Sequence, residues 1–450
     1  MFEENQHTIY ALASGKGRAG VAVVRLSGSA CRVIFSKLSR QTLPSNRMSA
    51  LRSLYDPETN LKIDEALVLW FEGPNSFTGE DVLEFQVHGG PAVLKSLDNA
   101  LLSINGVRLA EPGEFSRRAF ENNKLDLTAI EGLNDLIWAE TEAQKALALR
   151  QMSGELGKLY EMWRAQLISC LAHLEADIDF PDEDLPDGFV EEVRPKIAAL
   201  YNKIQAHLND QGRGERIRRG LSVVIVGPPN IGKSSFFNYL AKEEIAIVSD
   251  LAGTTRDIIE IRMDIGGYPV TFFDTAGLRE TNNPIEREGV KRARAKADNA
   301  NIKIILSDSQ LWPNLSSGVL ELIDANSILA LNKSDLLENH SHETAPNIEC
   351  PYFFLSSTKG DGFEKLLVFL ESKIISMLEI GDAPNLTRNR HRVALEDCQN
   401  ALLRFLERPS DPALRVEDVR LAIRSIGKIT GRVDVEDILD LVFSEFCIGK

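Results

Sequence analysis

The stretch Gly227-Pro-Pro-Asn-Ile-Gly-Lys-Ser234 has the residue types and spacing to hold the phosphates of a nucleotide. Its glycines free backbone N–H groups to wrap phosphate oxygens, Lys233 offers a cation to the β- and γ-phosphates, and the Ser234 hydroxyl suits Mg²⁺. Asn230, Ile231, Gly232, Lys233, Ser234 and Ser235 are therefore expected contacts of one loop. Asp274-Thr275-Ala276-Gly277 follows further on, with Asp274 placed for the Mg²⁺ shell and the Gly277 N–H for the γ-phosphate. Asn332-Lys333-Ser334-Asp335 fits a guanine reader. The Asp335 carboxylate can accept from N1–H and the 2-amino group, a donor pair that adenine lacks. Ser356 and Ser357, with Lys359, resemble the last base-contacting loop. Between the phosphate loop and Asp274 lies the place of a first switch: Ser249, Asp250, Leu251, Ala252, Gly253, Thr254 and Thr255, with Thr255 a second Mg²⁺ ligand. The chemistry implied is binding and hydrolysis of GTP, and the guanine pattern excludes a generic ATPase.

The hydrolytic part departs from the small-GTPase pattern. Leu278 stands just after Gly277, where a glutamine would orient water, and leucine cannot do so. Another polar group must place the water, and the charge of the transition state calls for a cation. The Asn230 side-chain oxygen can ligate a monovalent cation, and the carbonyls of Ser249 and Leu251 and the hydroxyl of Thr254 can complete such a shell. A merely loop-stabilising Asn230 suits the local sequence equally. Glu286 is one of several acids after Asp274; Glu280 and Glu288 read as a solvated face.

These loops need strands and helices to carry them. Leu221 to Val226 reads as a buried strand and Ser235 to Leu240 as a helix. With Val270 to Phe273 and Ser327 to Leu331 as strands, the pattern predicts a parallel sheet with crossover helices over residues 216–378. Residues 1–122 mix strands (Val21 to Leu26, Ala66 to Phe71) with a helix at Pro91 to Leu102, an α+β domain. From Thr128 to Phe180 apolar residues recur at helical spacing; Thr128 and Glu131 have capping-box spacing, and Gly154 and Gly157 are expected to divide the run. Val190 to Leu208 is a further helix, and Gln211 to Gly220 a linker. The chain is helical again over 379–450. We expect a multidomain chain: an α+β domain, an all-α helical-bundle domain in two parts (123–215 and 379–450), and an α/β P-loop domain inserted between them. Two separate helical domains are the alternative.

Composition narrows the function classes. The net charge of −15 argues against a simple basic nucleic-acid binder. No apolar run reaches the roughly 18 residues that span a bilayer, and no signal peptide is visible in the polar start, Met1 to His7. The five cysteines lack metal-ligand spacing, which suits reduced thiols in a cytoplasmic protein.

The motifs together resemble the MnmE (TrmE) family of tRNA-modification GTPases. Beyond the GTPase signatures, the resemblance is carried by Phe77-Thr-Gly-Glu-Asp-Val-Leu-Glu84, His88-Gly-Gly-Pro91, Glu111-Pro-Gly-Glu-Phe115, Lys124-Leu-Asp126 and the tail Phe446-Cys-Ile-Gly-Lys450, so it spans essentially the whole chain. It implies a cytoplasmic homodimer working with an FAD- and NADH-using partner, MnmG (GidA). Together they add a carboxymethylaminomethyl or aminomethyl group to C5 of the wobble uridine of certain tRNAs, contacted largely through the partner. It implies a potassium-stimulated GTPase whose G domains dimerise. Potassium carries over to Asn230, Ser249, Leu251 and Thr254, Mg²⁺ to Ser234 and Thr255, and the water-orienting acid to Glu286. A tetrahydrofolate derivative, source of the one-carbon unit, carries over to the N-terminal domain at Arg25, Glu84 and Lys124, and to Lys450. Cys447 is a candidate reactive thiol beside it, or a buried structural cysteine. The competing function is a ribosome-assembly or other regulatory GTPase, which shares the GTPase motifs but needs neither the N-terminal motifs nor the tail.

Overall fold

The N-terminal strands alternate buried and accessible residues, the pattern of a sheet with one face on a core. In the computed structural model, which describes residues 7–179, 193–228, 230–242, 260–274, 300–337, 348–378, 384–407, 412–433, 436–444, 446 and 448–449, these strands form one sheet. They are β1 (Thr8–Leu12), β2 (Ala19–Ser27), β3 (Ser49–Tyr55), β4 (Lys62–Phe71), β5 (Val82–Gly89) and β6 (Val107–Leu109), in the order β3-β4-β5-β2-β1-β6. All neighbours are antiparallel except β1 and β6. One face, with Val24, Leu26, Leu83 and Phe85, joins residues of α1 (Cys31–Leu38) and α2 (Pro91–Leu102) in a common core. The opposite face carries Arg25 and Glu84, because neighbours along a strand point to opposite sides.

The described residues group into two compact units, one within 1–134, 151–198 and 400–450, the other within 135–150 and 199–399. The first unit holds this sheet and helices from both ends of the chain. α3 (Glu114–Glu121) and α4 (Leu127–Ile137) follow the sheet, and α6 (Glu155–Asp179) packs along the helix Pro412–Thr430. Thr430 donates its hydroxyl to Glu161 at 2.8 Å, and Arg420 pairs with Glu175 at 2.7 Å. Residues far apart in sequence thus meet in one helical layer.

The second unit contains a sheet in the order β12-β11-β10-β7-β9-β8: β7 (Leu221–Val226), β8 (Glu260–Ile265), β9 (Tyr268–Asp274), β10 (Ile302–Asp308), β11 (Ser327–Asn332) and β12 (Tyr352–Phe354). All pairings are parallel except β8 with β9. Every residue of β11 is buried, as expected of a central parallel strand covered on both faces. Helix α9 (Lys233–Leu240) and the helix Phe363–Leu378 contribute Phe236, Phe237, Leu366 and Leu370 to its core. α5 (Glu142–Met152) belongs here too: the Ala143 N–H bonds the Gly267 carbonyl at 3.0 Å.

Four local expectations change. The α4 start is capped by Asp126, whose carboxylate accepts from the Ala129 N–H (2.8 Å) and the Thr128 hydroxyl (2.6 Å), so Thr128 is not the cap. Gly154 divides the helical run in a left-handed conformation, φ +79°, but Gly157 lies inside α6. A Cβ at Gly157 would collide with the Asp126 carboxylate, so this glycine serves the close approach of that side chain rather than a break. The other break falls at Trp138–Thr141, where no glycine or proline marks it. Val193–Leu208 is the helix α7, and within the expected linker Arg213–Arg219 is a helix, α8.

Candidate functional site

The nucleotide-type loops gather at the carboxyl ends of β7, β10 and β11, the usual ligand edge of an open α/β sheet. β7 ends at Val226, Gly227 turns the chain, and α9 begins at Lys233. Gly232 has φ +99°, and a Cβ there would run into the Asn332 side-chain amide, so glycine is required on both counts. The Lys233 ammonium donates to the carbonyls of Gly227 (2.8 Å) and Pro228 (2.9 Å), which holds the cation inside the curl of the loop. Ser234 and Ser235 are exposed on the first turn of α9, while Ile231 is buried as the loop's apolar anchor. Asn230 is exposed with a left-handed φ of 61°.

One side chain ties three loops together. Asn332, buried at the end of β11, donates its amide to the Ile231 carbonyl at 2.8 Å. Its oxygen accepts from the Ser357 N–H (3.1 Å) and hydroxyl (2.9 Å). Asp335 is fixed by the Ser356 hydroxyl at 2.7 Å; that hydrogen bond holds its carboxyl below the ordinary carboxylate range. Lys333, left-handed at φ 63°, pairs its ammonium with Asp308 at 2.9 Å. The Asp274 backbone lies beside Ile225 at the end of β9, so its chain segment reaches the same edge. Ser249, Asp250, Leu251, Ala252, Gly253, Thr254, Thr255, Thr275, Ala276, Gly277 and Glu286 lie outside the described residues.

A second polar cluster sits on the N-terminal sheet. Register places Arg25 opposite Glu84, and Arg25 Nε donates to Glu84 Oε1 at 2.8 Å. The guanidinium lies 5.8 Å from the Phe77 ring and 5.9 Å from the Phe115 ring, within cation–π range. The Lys124 stem lies against Gly79 of the Phe77-Thr-Gly-Glu80 loop, and Asn122 donates to the Thr78 carbonyl at 2.7 Å. The tail reaches the same domain: Ile448 bridges Pro112, and Gly449 lies against the Leu12 carbonyl. Cys447 and Lys450 themselves are outside the described residues.

Residues 8–124 match the family described as the GTP-binding protein TrmE N-terminus, and residues 127–447 match the MnmE helical domain. The tRNA modification GTPase MnmE of Parvibaculum lavamentivorans is 49% identical over 448 residues, covering 98% of this chain and 100% of its own length. This chain belongs to the MnmE family. A second relative, MnmE of Paramagnetospirillum magneticum, is also 49% identical, with 98% of this chain and 99% of its own length covered. The mitochondrial 5-taurinomethyluridine-tRNA synthase subunit GTPB3 of Danio rerio is 46% identical, covering 98% of this chain and 93% of its own length.

Within this MnmE-family chain the structure brings together Asn230 to Ser235 with Asn332, Lys333, Asp335, Ser356 and Ser357, and separately Arg25 with Glu84. Lys124 approaches the second group through Gly79. Sequence reasoning missed Asp308 beside Lys333, Phe77 and Phe115 near Arg25, and the network in which Arg118 pairs with Glu80 and Glu114. The signal for Phe77, Glu80, Glu114 and Phe115 lay in the Phe77–Glu84 and Glu111–Phe115 motifs, which carried no role in the sequence beyond their acids and aromatics; Arg118 lies outside both motifs. Among the described residues no helix is long and apolar enough to cross a membrane.

Proposed function

We propose that the chain hydrolyses GTP to drive C5 modification of the wobble uridine in certain tRNAs, in a complex with an FAD- and NADH-using MnmG partner. The observation that carries the GTP half is the Asn332 bridge between phosphate loop and base loops, with Asp335 held for guanine. Ser234 is exposed where a Mg²⁺ ligand must be, and Thr255 is its proposed companion. Magnesium would neutralise charge on the β- and γ-phosphates. Lys233 moves its ammonium from the Gly227 and Pro228 carbonyls onto phosphate oxygens, exchanging neutral acceptors for charged ones. Water then attacks the γ-phosphorus, and the bond to the bridging oxygen breaks to release GDP and phosphate.

Leu278 cannot orient that water, so we assign the task to Glu286. Potassium would supply the missing transition-state cation, and the exposed, left-handed Asn230 suits one of its ligands. Ser249, Leu251 and Thr254 are the other proposed ligands. Pairing of two G domains in a homodimer completes this site, and the hydrolysis cycle changes the conformation of the complex. The 5-substituted uridine in the name of the Danio rerio relative supports the C5 assignment. A tetrahydrofolate derivative is proposed to donate the one-carbon unit at Arg25, Glu84, Lys124 and Lys450. There the Glu84 carboxylate accepts the paired pterin N–H groups, and the cations attract the glutamate tail.

The test is nucleoside mass spectrometry of tRNA from cells lacking the gene. The C5-modified wobble uridine should vanish and return with the intact gene. An unchanged profile would reject the tRNA role and favour a ribosome-assembly or other regulatory GTPase.

A further inference from the structure

The loop bearing Phe77 and the helix α3, which bears Phe115, are joined by one buried cation of that helix. Arg118 is only 2% exposed, yet its guanidinium reaches separate parts of the chain. Nη1 donates to Glu80 at 2.9 and 3.2 Å and to the Ser27 carbonyl at 3.4 Å. Nη2 donates to Glu114 and to the His7 carbonyl, both at 3.0 Å. Glu80 also accepts the Ser27 hydroxyl at 2.6 Å. Arg108 clasps Glu114 with bonds of 2.6 and 2.7 Å, and the Glu111 N–H adds a third at 2.9 Å. Glu80 is thus linked to the Phe77 loop, and Glu114 directly precedes Phe115. The same turn, Pro112–Gly113, carries Ile448 and rests on Phe443.

Burying such a network costs desolvation, and apolar side chains of similar volume often serve stability as well. Its distinctive product is geometry: two rings held 5.8 and 5.9 Å from the Arg25 guanidinium, and a fixed seat for the C-terminal tail. We propose that Arg118 is a positioning residue for the reduced-folate site. It acts through Phe77, Phe115 and the Arg25–Glu84 pair, and touches no reacting atom itself. This role rests on the folate reading above.

The test measures equilibrium binding of 5-formyltetrahydrofolate to the full chain, with thermal midpoint and GTP hydrolysis followed on the same samples. Arg118→Lys keeps the charge and loses the fork. It should weaken binding about tenfold or more, as expected when a binding group is displaced by a fraction of an ångström, while GTP hydrolysis is unchanged. Arg118→Met combined with Glu80→Gln removes both charges. It should restore the thermal midpoint towards that of the unaltered chain without restoring affinity. If affinity recovers together with the midpoint, or if Arg118→Lys binds as tightly as the unaltered chain, the positioning role is overturned. Failure of the unaltered chain to bind the folate would instead overturn the folate reading, and this role with it.

Discussion

The two polar clusters of this molecule are built on opposite principles. At the nucleotide edge, Asn332 and the serines tie the loops to one another, Lys333 is paired with Asp308, and the two groups expected to meet the nucleotide, Lys233 and Asp335, bond neutral groups. Lys233 leans on two carbonyls, and Asp335 accepts one serine hydroxyl. In the N-terminal cluster the charges already satisfy each other: Glu114 alone takes bonds from Arg108, Arg118 and the Glu111 N–H. A phosphate or a guanine can displace a carbonyl or complete a half-satisfied carboxylate at little cost. A buried ion network cannot open without stranding a charge. The first arrangement therefore awaits its ligand, and the second frames one.

The contrast predicts that variants at the nucleotide edge lose chemistry before stability. Lys233→Ala should cut GTP hydrolysis by about a hundredfold to a thousandfold, the usual loss for a transition-state donor, with the thermal midpoint nearly unchanged. Steady-state hydrolysis and calorimetry on one sample check both. A collapse of the midpoint would place Lys233 among structural cations and erase the contrast. Asp335→Asn should weaken GTP binding by about a hundredfold and favour xanthosine triphosphate, whose O2 needs a donor. Competition binding with both nucleotides decides it, and unaltered GTP affinity would remove Asp335 from base reading.

Acid should also separate the two units. Burial pushes His207, in the second unit, down to about 4 from an ordinary 6.5, with the charge of Asp210 opposing and Arg392 assisting. The unfolded chain then binds the extra proton first, so stability falls as pH drops from about 6.5 to about 4, by at most about 3 kcal/mol. Glu114, in the first unit, shifts the other way. Burial raises its pKa, but hydrogen bonds from Arg108, the Glu111 N–H and Arg118 outweigh that and leave it lowered. Its stabilisation is complete above the ordinary value of 4.5 and is lost only as pH falls through the lowered one. Hydrogen exchange at pH 5 should therefore show the second unit loosening while the first holds, and His207→Gln should flatten that response. The smallest effect is local to the first unit. Asp126→Ala removes the cap of α4 and should cost about 1 kcal/mol in denaturant unfolding, leaving GTP hydrolysis intact.

Much of this arrangement was legible in the sequence because its determinants are local. The β7 strand, the phosphate loop and α9 are one continuous stretch, and glycine at 232 follows from backbone geometry that no other residue tolerates. Pro91–Leu102 is a helix with the bounds expected. Arg25 and Glu84 came from resemblance, and their pairing follows from a sheet register that joins residues 59 positions apart. Capping at Asp126 rather than Thr128 turned on a hydrogen bond between neighbours that spacing alone could not rank. Gly157 reads as a breaker in the sequence because nothing local reveals that the Asp126 carboxylate packs against it.

The sequence by itself pointed to a guanine nucleotide and to the residues expected to bind it, since phosphate and base loops are short motifs whose chemistry is set by residue type. Only the tertiary structure decided how the loops hold one another through Asn332, and that Arg118 links Glu80 to Glu114. The Asn332 and Glu80 contacts join segments 101 and 38 residues apart, while Glu114 is the i, i+4 neighbour of Arg118 within α3. The reason is physical: a side chain's type states what it can bond, but only packing states which partner stands within 3 Å of it.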